Sequence, residues 1–429
     1  MTHDTLARAV PGETRWFPAL RRLLMRERYQ LAGGLLFAAV LPLLLWIGTG
    51  KLSAAGGYAD TTLMVGFAVV LSQFFVQALA RYPAPSSLSI SLPAVSAAFA
   101  VVIVGITITH AEYSRGLLLS GFVISVAWYA LLGTAKRQYM QPRLVLVPAG
   151  AGVNQFCGSS WRVLSSPSPE VVKHAQGIVA DLEADLSPEW RQFLTSCAVA
   201  GIPVYDSTRM REMITGEVEL NRISDIGFEA LLPHRSYLIL KSAIDFSIAA
   251  LMLPLALPVI GLAAVAVRLE SRGPALFVQE RVGYQGRVFR CYKLRSMRSS
   301  EAGAGLPFTT DHDPRITRVG AFIRKYRIDE LPQIFNILKG EMSWIGPRPE
   351  SVPLSQNYEA SVPFYRFRHA VKPGISGWAA IQQGNVGGVD AATIKLRYDF
   401  FYIKNSSFSL DLYIAYRTAV ILLTGFGSK

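Results

Sequence analysis

Cysteine is scarce. Cys157, Cys197 and Cys291 are the only three in 429 residues, and no two form a CxxC pair. That spacing excludes a disulfide framework or a thiolate zinc site and fits plain buried thiols in a reducing compartment. The six histidines are scattered, without HExxH or another paired spacing, so no histidine metal centre is legible. Charged residues make up only 17% against 51% hydrophobic, too apolar for an ordinary soluble protein. The net charge is +13, yet no helix-turn-helix, RNP-type or zinc-finger signature accompanies it, so no nucleic-acid partner is expected.

Where charge is absent, long apolar runs stand. Residues 29–48, 61–80, 88–109 and 116–135 contain no charged side chain. Each is about 20 residues, enough to cross a hydrocarbon core of roughly 30 Å, so residues 29–142 are expected to hold four transmembrane helices. The first run starts too late and is too long for a cleaved signal peptide. Basic residues give the orientation. The tail, residues 1–28, carries Arg8, Arg15, Arg21, Arg22, Arg26 and Arg28; Arg81 follows the second run; Lys136, Arg137 and Arg143 follow the fourth. The two other loops hold only Lys51 and Arg115. The tail, the middle loop and everything after residue 136 are therefore expected in the cytoplasm.

Charge divides the remainder. Residues 1–142 sum to +6, residues 143–234 to −4 and residues 235–429 to +11. A basic C-terminal part suits a membrane surface and phosphorylated substrates. The middle part reads as alternating strands and helices: "RLVLVPAG" (143–150), "GIVADL" (177–182) and "GIPVYD" (201–206) as strands, with a helix from Pro188 capped by Ser187. A small parallel α/β domain is expected. Gly150 and Gly152 begin a GxGxxG loop, but Gln155 stands at the third glycine and no acidic residue occupies the ribose-binding distance. The expectation is a degenerate Rossmann-like domain without cofactor.

Residues 246–267 form a fifth uncharged run, interrupted by Pro254 and Pro258. Proline removes a helical hydrogen bond and clashes with the preceding turn. Arg235 and Lys241 precede the run; Arg268, Arg272, Arg281 and Arg287 follow it. A crossing would carry the most basic part of the chain outside, against the charge rule. A re-entrant helix over residues 241–268, turning at the prolines and returning to the same face, is the expectation.

The chemistry concentrates in "KYRIDELPQIFNILKGEMSWIGPRPE" (325–350). Arg324, Lys325 and Arg327 precede the Asp329-Glu330 pair, and Arg348 is held between two prolines. A carboxylate can attack phosphorus only where the phosphate charge is neutralised, which calls for fixed cations and a metal. Arginine suits bidentate phosphate contacts. Lys293, Arg295 and Arg315 are further candidates for phosphate contact, the first two on a hairpin that also carries Glu280 and Arg281.

Four segments together carry a resemblance. "KSAID…LPVIGLAAVAVRLESRGPALFVQERVGYQGRVFRCYKLRSM" (241–297), residues 313–350, "RFRHAVKPGISGWA" (366–379) and "KLRYDFFYIKNSSFSLDL" (395–412) resemble, in order, the bacterial sugar transferases. These are polyprenyl-phosphate hexose-1-phosphate transferases, here in the long form with four spans and an α/β insert. The resemblance implies an α/β membrane protein whose residues 235–429 form a mainly α monotopic catalytic domain. It implies transfer of a hexose 1-phosphate from a nucleotide diphosphate sugar, UDP-glucose or UDP-galactose, to undecaprenyl phosphate. UMP leaves, and exopolysaccharide, capsule or O-antigen assembly begins at the cytoplasmic face of a bacterial inner membrane. Asp329 matches the family's nucleophile, which forms a phosphosugar-aspartyl intermediate, and Glu330 its partner, which holds Mg²⁺. Arg324 and Arg348 match basic residues around the carboxylates, and Pro258 the helix-breaking proline. Leu257 replaces the serine usual before that proline, which puts the break geometry in doubt.

"KPGISGWA" reads as a rigid turn shaping the pocket, and the last two segments as interfacial helices with Asp411 and Arg417 facing outward. Membrane lipids are expected partners; a homodimer is compatible with the resemblance but has no direct signal. Two other classes remain to be weighed. A transporter is disfavoured because no apolar run contains an ionisable residue. A catalytically silent scaffold is disfavoured by the intact Asp329-Glu330 pair.

Overall fold

The computed structural model describes residues 26–48, 57–139, 144–149, 161–168, 172, 175, 177–220, 231–298, 313–383 and 388–424. The basic tail before Arg26, the degenerate glycine loop with Gly150, Gly152 and Gln155, and Cys157 lie outside the described residues. The chain divides into two units, Met1–Ala80 with Ala84–Gln141, and Arg81–Pro83 with Pro142–Lys429.

The first unit holds four long helices among its described residues: α1 (Glu27–Gly48, π-helical over Leu35–Val40), α2 (Tyr58–Leu79), α3 (Leu88–Thr109) and α4 (Arg115–Tyr139). These are the four apolar runs of the sequence. Each buries a narrow stripe in one core that includes Ala38, Val65, Val69, Val95, Phe99 and Tyr129. Small residues let the backbones approach: a Cβ on Gly121 would stand 2.6 Å from Val65 Cγ1. The outward faces stay apolar, with Leu63, Ile108 and Leu131 each about 70% exposed. Such faces are unfavourable in water and suit lipid.

The second unit begins with a four-stranded parallel sheet, β1 (Leu144–Leu146), β2 (Arg162–Val163), β3 (Gly177–Ala180) and β4 (Val204–Asp206), in the order β2-β1-β3-β4. The described strands and the helix α5 (Pro188–Val199) match the α/β reading, and Ser187 Oγ accepts from Trp190 N at the helix start. β2 was not foreseen. Helix α6 (Ser207–Thr215) starts on an Asp206 cap and leads into the residues that join this domain to the rest of the unit. There Glu212 pairs with Lys404 at 2.6 Å, and Gly216 O accepts from Trp378 Nε1 at 2.8 Å.

Helix α7 (Arg235–Glu270) differs from expectation. It is one continuous α-helix of 36 residues through both Pro254 and Pro258. The helical assignment continues through both prolines, although each removes one amide donor from the helix. Ala249 and Ala256 pack on Phe289, Cys291, Ile334 and Met342; further along, Val267 packs on Leu294 and Ile323. The opposite face exposes Leu251, Leu255, Leu262 and Leu269 by 67% or more. The helix thus lies along one flank of the unit with a lipid-like surface outward.

The remaining elements are the antiparallel hairpin β5 (Leu276–Val282) and β6 (Val288–Leu294) with a 3₁₀ turn (Tyr284–Gly286) between them, α8 (Arg318–Lys325), a second 3₁₀ turn (Ile328–Gln333), α9 (Ile334–Leu338), β7 (Ser343–Ile345), α10 (Val352–Ser361), a third 3₁₀ turn (Tyr365–Ala370), β8 (Gly374–Ser376), α11 (Trp378–Gln382), α12 (Val389–Lys404) and α13 (Phe408–Thr424). The aromatic run on α12 is core: Phe400, Phe401 and Tyr402 are buried, as are Tyr413 and Ile414 of α13. Asp411 does not face outward. It accepts from Tyr237, Lys241 and Tyr402 at 2.6, 2.6 and 2.8 Å, since a carboxylate among buried side chains must be paired.

Candidate active site

Three short pieces bring the charged residues together. Arg327 adopts a left-handed conformation, φ +52°, unusual for arginine, which turns the chain out of α8 and into the 3₁₀ turn. Successive 3₁₀ residues point about 120° apart, so Asp329 and Glu330 diverge. Glu330 is buried, while Asp329 stays partly exposed. Asn336, fully buried on α9, accepts from Tyr292 N and donates to Arg290 O, which locks the turn against β6.

The Glu330 carboxylate is enclosed by cations. Oε1 accepts from Lys293 Nζ at 3.0 Å and from Arg348 Nη2; Oε2 accepts from Arg348 Nη1 at 3.3 Å, with Arg327 Nη1 at 3.9 Å. Burial opposes its ionisation, but Arg348 and Lys293 outweigh burial and hold its carboxyl well below the usual range. Burial also lowers Lys293, despite Glu330, because Arg348 and Arg281 add like charge. Asp329 behaves in the opposite way. Burial, then the charge of Glu330, push it up to about 6, against the pull of Lys293, Arg348 and Arg324. It makes no hydrogen bond or ion pair among the described residues. The result is one tightly paired carboxylate and one unpaired carboxylate, side by side.

Arg348 reaches this place from the loop after β7. β7 and β8 pair in parallel at their first and last residues, and glycines permit the closeness: a Cβ on Gly374 would lie 2.1 Å from Gly346 N. The "KPGISGWA" turn therefore supports the loop. Flanking prolines limit the backbone of Arg348, and its Nη1 also donates to Ile375 O at 3.2 Å.

Lys293, Arg327, Asp329, Glu330 and Arg348 are thus gathered. Arg324 stands on the last turn of α8, half-buried, and acts on Asp329 through its charge. Two further candidates have partners of their own. Arg295 donates to Ser271 O and Arg272 O and so closes the C-terminal end of α7, while Arg315 pairs with Asp313 at 2.6 Å. Pro258 lies inside α7, whose helical assignment continues past it. Glu330, the residue expected to hold the metal, here accepts from Lys293 and Arg348 with Arg327 nearby. Among the described residues, no group of three His, Cys, Asp or Glu forms a ready metal cage.

Glu350, Arg368, Lys395 and Asp399 form two further ion pairs that no sequence motif announces. Arg368 and Asp399 form an ion pair in which both side chains are 2% exposed, and Lys395 pairs with Glu350, whose carboxyl is held at about 2 by Lys395 and Arg368 against burial. The available signal was Lys395 and Asp399 at i and i+4 beside buried aromatics, a spacing that puts two charges on one inward face.

A sequence-family profile described as bacterial sugar transferase matches residues 236–425. The UDP-N-acetylgalactosamine-undecaprenyl-phosphate N-acetylgalactosaminephosphotransferase of Aeromonas hydrophila is 37% identical over 428 residues, covering 97% of this chain and 98% of that protein. The UDP-glucose:undecaprenyl-phosphate glucose-1-phosphate transferase of Escherichia coli (strain K12) is 39% identical over 193 residues, 44% of this chain and 41% of that protein. A protein of the same name from Caulobacter vibrioides (strain ATCC 19089 / CIP 103742 / CB 15) is 40% identical over 195 residues, 45% of this chain and 73% of that protein. With one such relative aligned from end to end and the profile spanning the whole region that carries Asp329, Glu330 and Arg348, this chain belongs to the bacterial sugar transferase family.

Proposed function

We propose that this chain transfers a sugar 1-phosphate from a UDP-sugar to undecaprenyl phosphate, starting assembly of a cell-surface polysaccharide. The observation that carries the reading is the unpaired Asp329 carboxylate beside a Glu330 that gathers Lys293 and Arg348. An Asp329 oxygen attacks the phosphorus bonded to the sugar. The bond from that phosphorus to the bridging oxygen breaks, and UMP leaves. A phosphate oxygen of the lipid then attacks the same phosphorus, the bond to Asp329 breaks, and the carboxylate is regenerated. Dividing the transfer in this way replaces one difficult displacement with two easier ones. Lys293, Arg324, Arg327 and Arg348 offset the charge that builds on the phosphate oxygens.

Mg²⁺ belongs to the proposal. Magnesium is commonly held by one or two carboxylates with substrate phosphates and water, and Glu330, beside the attacking Asp329, would supply the protein's share. When bound, the ion would neutralise diphosphate charge. For the sugar, the relative aligned over nearly the full length is named for N-acetylgalactosamine. UDP-N-acetylgalactosamine therefore heads the donor panel, ahead of the glucose and galactose donors implied by the resemblance.

The membrane placement is also a proposal: an inner-membrane protein with its catalytic unit at the cytoplasmic face. Both ends of α7 are tied to one unit, at Lys241–Asp411 near its start and at Glu270, which accepts from Arg318 N and Val319 N, at its end. At about 1.5 Å per residue the helix spans about 54 Å. Its outward leucines enter the membrane from one side while both ends remain with the catalytic unit. The test is label transfer from UDP-sugars carrying a radioactive sugar into an undecaprenyl-phosphate lipid fraction, using purified full-length protein in lipid. Transfer from one donor supports the proposal; no transfer from any, by folded protein with Mg²⁺, refutes it.

A further inference from the structure

The Pro347-Arg348-Pro349 stretch has little means of being held through its own amides, because two of its three nitrogens belong to proline. A row of bonds to its carbonyls holds it instead. Pro347 O accepts from Gly374 N at 3.0 Å, Arg348 O from Arg368 Nη2 at 2.9 Å, and Pro349 O from Arg281 Nη1. Two of the three donors are guanidinium groups. Arg368 is the deeper and the more fixed. Its Nε and Nη2 donate to Asp399 Oδ2 at 3.0 and 2.8 Å, and its Nη1 donates to Tyr365 Oη at 2.8 Å. Every nitrogen of the guanidinium is committed, which leaves it one orientation. Asp399 projects from α12, one turn after Lys395, which binds Glu350 just beyond the loop.

A buried ion pair is a weak way to fill a core, since apolar residues of the same volume avoid the desolvation cost. What the pair adds is a donor to a carbonyl inside a proline-flanked loop. We propose that Arg368, locked by Asp399, is a positioning residue: it fixes the main chain of Arg348 so that the Arg348 guanidinium meets Glu330 and the donor diphosphate. This role rests on the transferase reading. Arg348 has only Glu330 and Ile375 O as described side-chain partners, and Glu330 is shared with Lys293. Displacement of its main chain therefore moves the charge away from the phosphate, and misplacement on the order of 1 Å is enough to slow transfer greatly.

The experiment is a double-mutant cycle on purified full-length protein in lipid, with R368K, R348A and the combined variant. Lysine can still pair with Asp399 but has one ammonium and cannot also keep the fork to the Arg348 carbonyl. R368K is expected to lower donor kcat/KM about tenfold while the acceptor KM is unchanged, and to cost less than about twofold when R348A is already present. Equal costs in both backgrounds would overturn the role. So would a loss of kcat alone, with both KM values retained, because that reports fewer folded molecules. Should R368K fail to fold, R368M/D399L keeps the volume without the ion pair: folded protein with parental donor kinetics would overturn the proposal, and the same donor defect would support it. UDP binding by the parent separates the two levels. A parent that neither binds UDP nor transfers sugar phosphate removes the transferase reading and this role with it; an active parent with an additive cycle removes only the role of Arg368.

Discussion

Replacing Asp329 by Asn is expected to abolish transfer and to stabilise the fold. Burial and the adjacent Glu330 hold the Asp329 carboxyl at about 6 against an ordinary 3.8. In the unfolded chain the group ionises from about pH 4 upward; in the folded protein it waits until about pH 6. The folded state therefore binds more protons across that interval, and stability conferred by the protonated form is lost as pH rises through it. At 1.36 kcal/mol per pK unit the full penalty at neutral pH is about 3 kcal/mol. Partial contact of the carboxylate with water reduces this to about 2 kcal/mol. Asparagine is neutral and avoids the penalty, so D329N should unfold roughly 2 to 3 °C higher at pH 7.5. The assay is thermal unfolding of both proteins without divalent metal from pH 4 to 8. The two midpoints should coincide near pH 4, separate through pH 6 and run parallel above pH 7. A gap that does not change with pH, or a less stable Asn variant at pH 7.5, would refute the reasoning.

Glu330→Gln should act in the opposite direction, because it leaves Lys293 and Arg348 beside each other without their carboxylate; a loss of about 3 kcal/mol is expected from breaking such a buried pair, together with severe loss of transfer. Parental unfolding and turnover in that variant would show that the cation cage is not what organises the site. The rate of Asp329 attack in single turnover should rise with pH along one acidic limb, since only the carboxylate is nucleophilic; Mg²⁺ beside the carboxylate favours its charged form and moves that limb below the metal-free value of about 6, and a rate that falls as pH rises to 7 contradicts this. For α7, single cysteines at Ser236 and Arg287, in a cysteine-free background, should both resist an impermeant maleimide in intact cells and both react once the membrane is opened. Reaction at one position only, before opening, would establish a true crossing.

Much of the architecture was legible because its causes are local. Uncharged runs of about 20 residues gave the four helices of the first unit, and Ser187-Pro188 gave the start of α5. β2 escaped because it is two exposed residues with no apolar pattern. The prolines of α7 suggested a turn, yet tertiary packing of Ala249, Ala256 and Val267 accompanies an uninterrupted helix. Asp411 looked solvent-facing because its partners, Tyr237 and Lys241, lie about 170 residues away and leave no trace in the local pattern. At the site, Lys293 and Arg295 would share a face if the strand continued, but β6 ends at Leu294 and Arg295 turns to the end of α7 instead. The Asp329-Glu330 pair was visible as chemistry. Which of the two carboxylates is already paired required three dimensions.

The most direct test of the central claim omits the lipid acceptor. Purified protein is mixed with Mg²⁺ and a UDP-sugar labelled in the phosphate next to the sugar, quenched, and analysed for free UMP and for protein-bound label. Up to one UMP is expected per active site, with matching label on the peptide that contains Asp329 and none in D329N. Full turnover when lipid phosphate is added, but no UMP and no bound label in its absence, would mean that the lipid attacks the donor directly and that Asp329 is not the nucleophile.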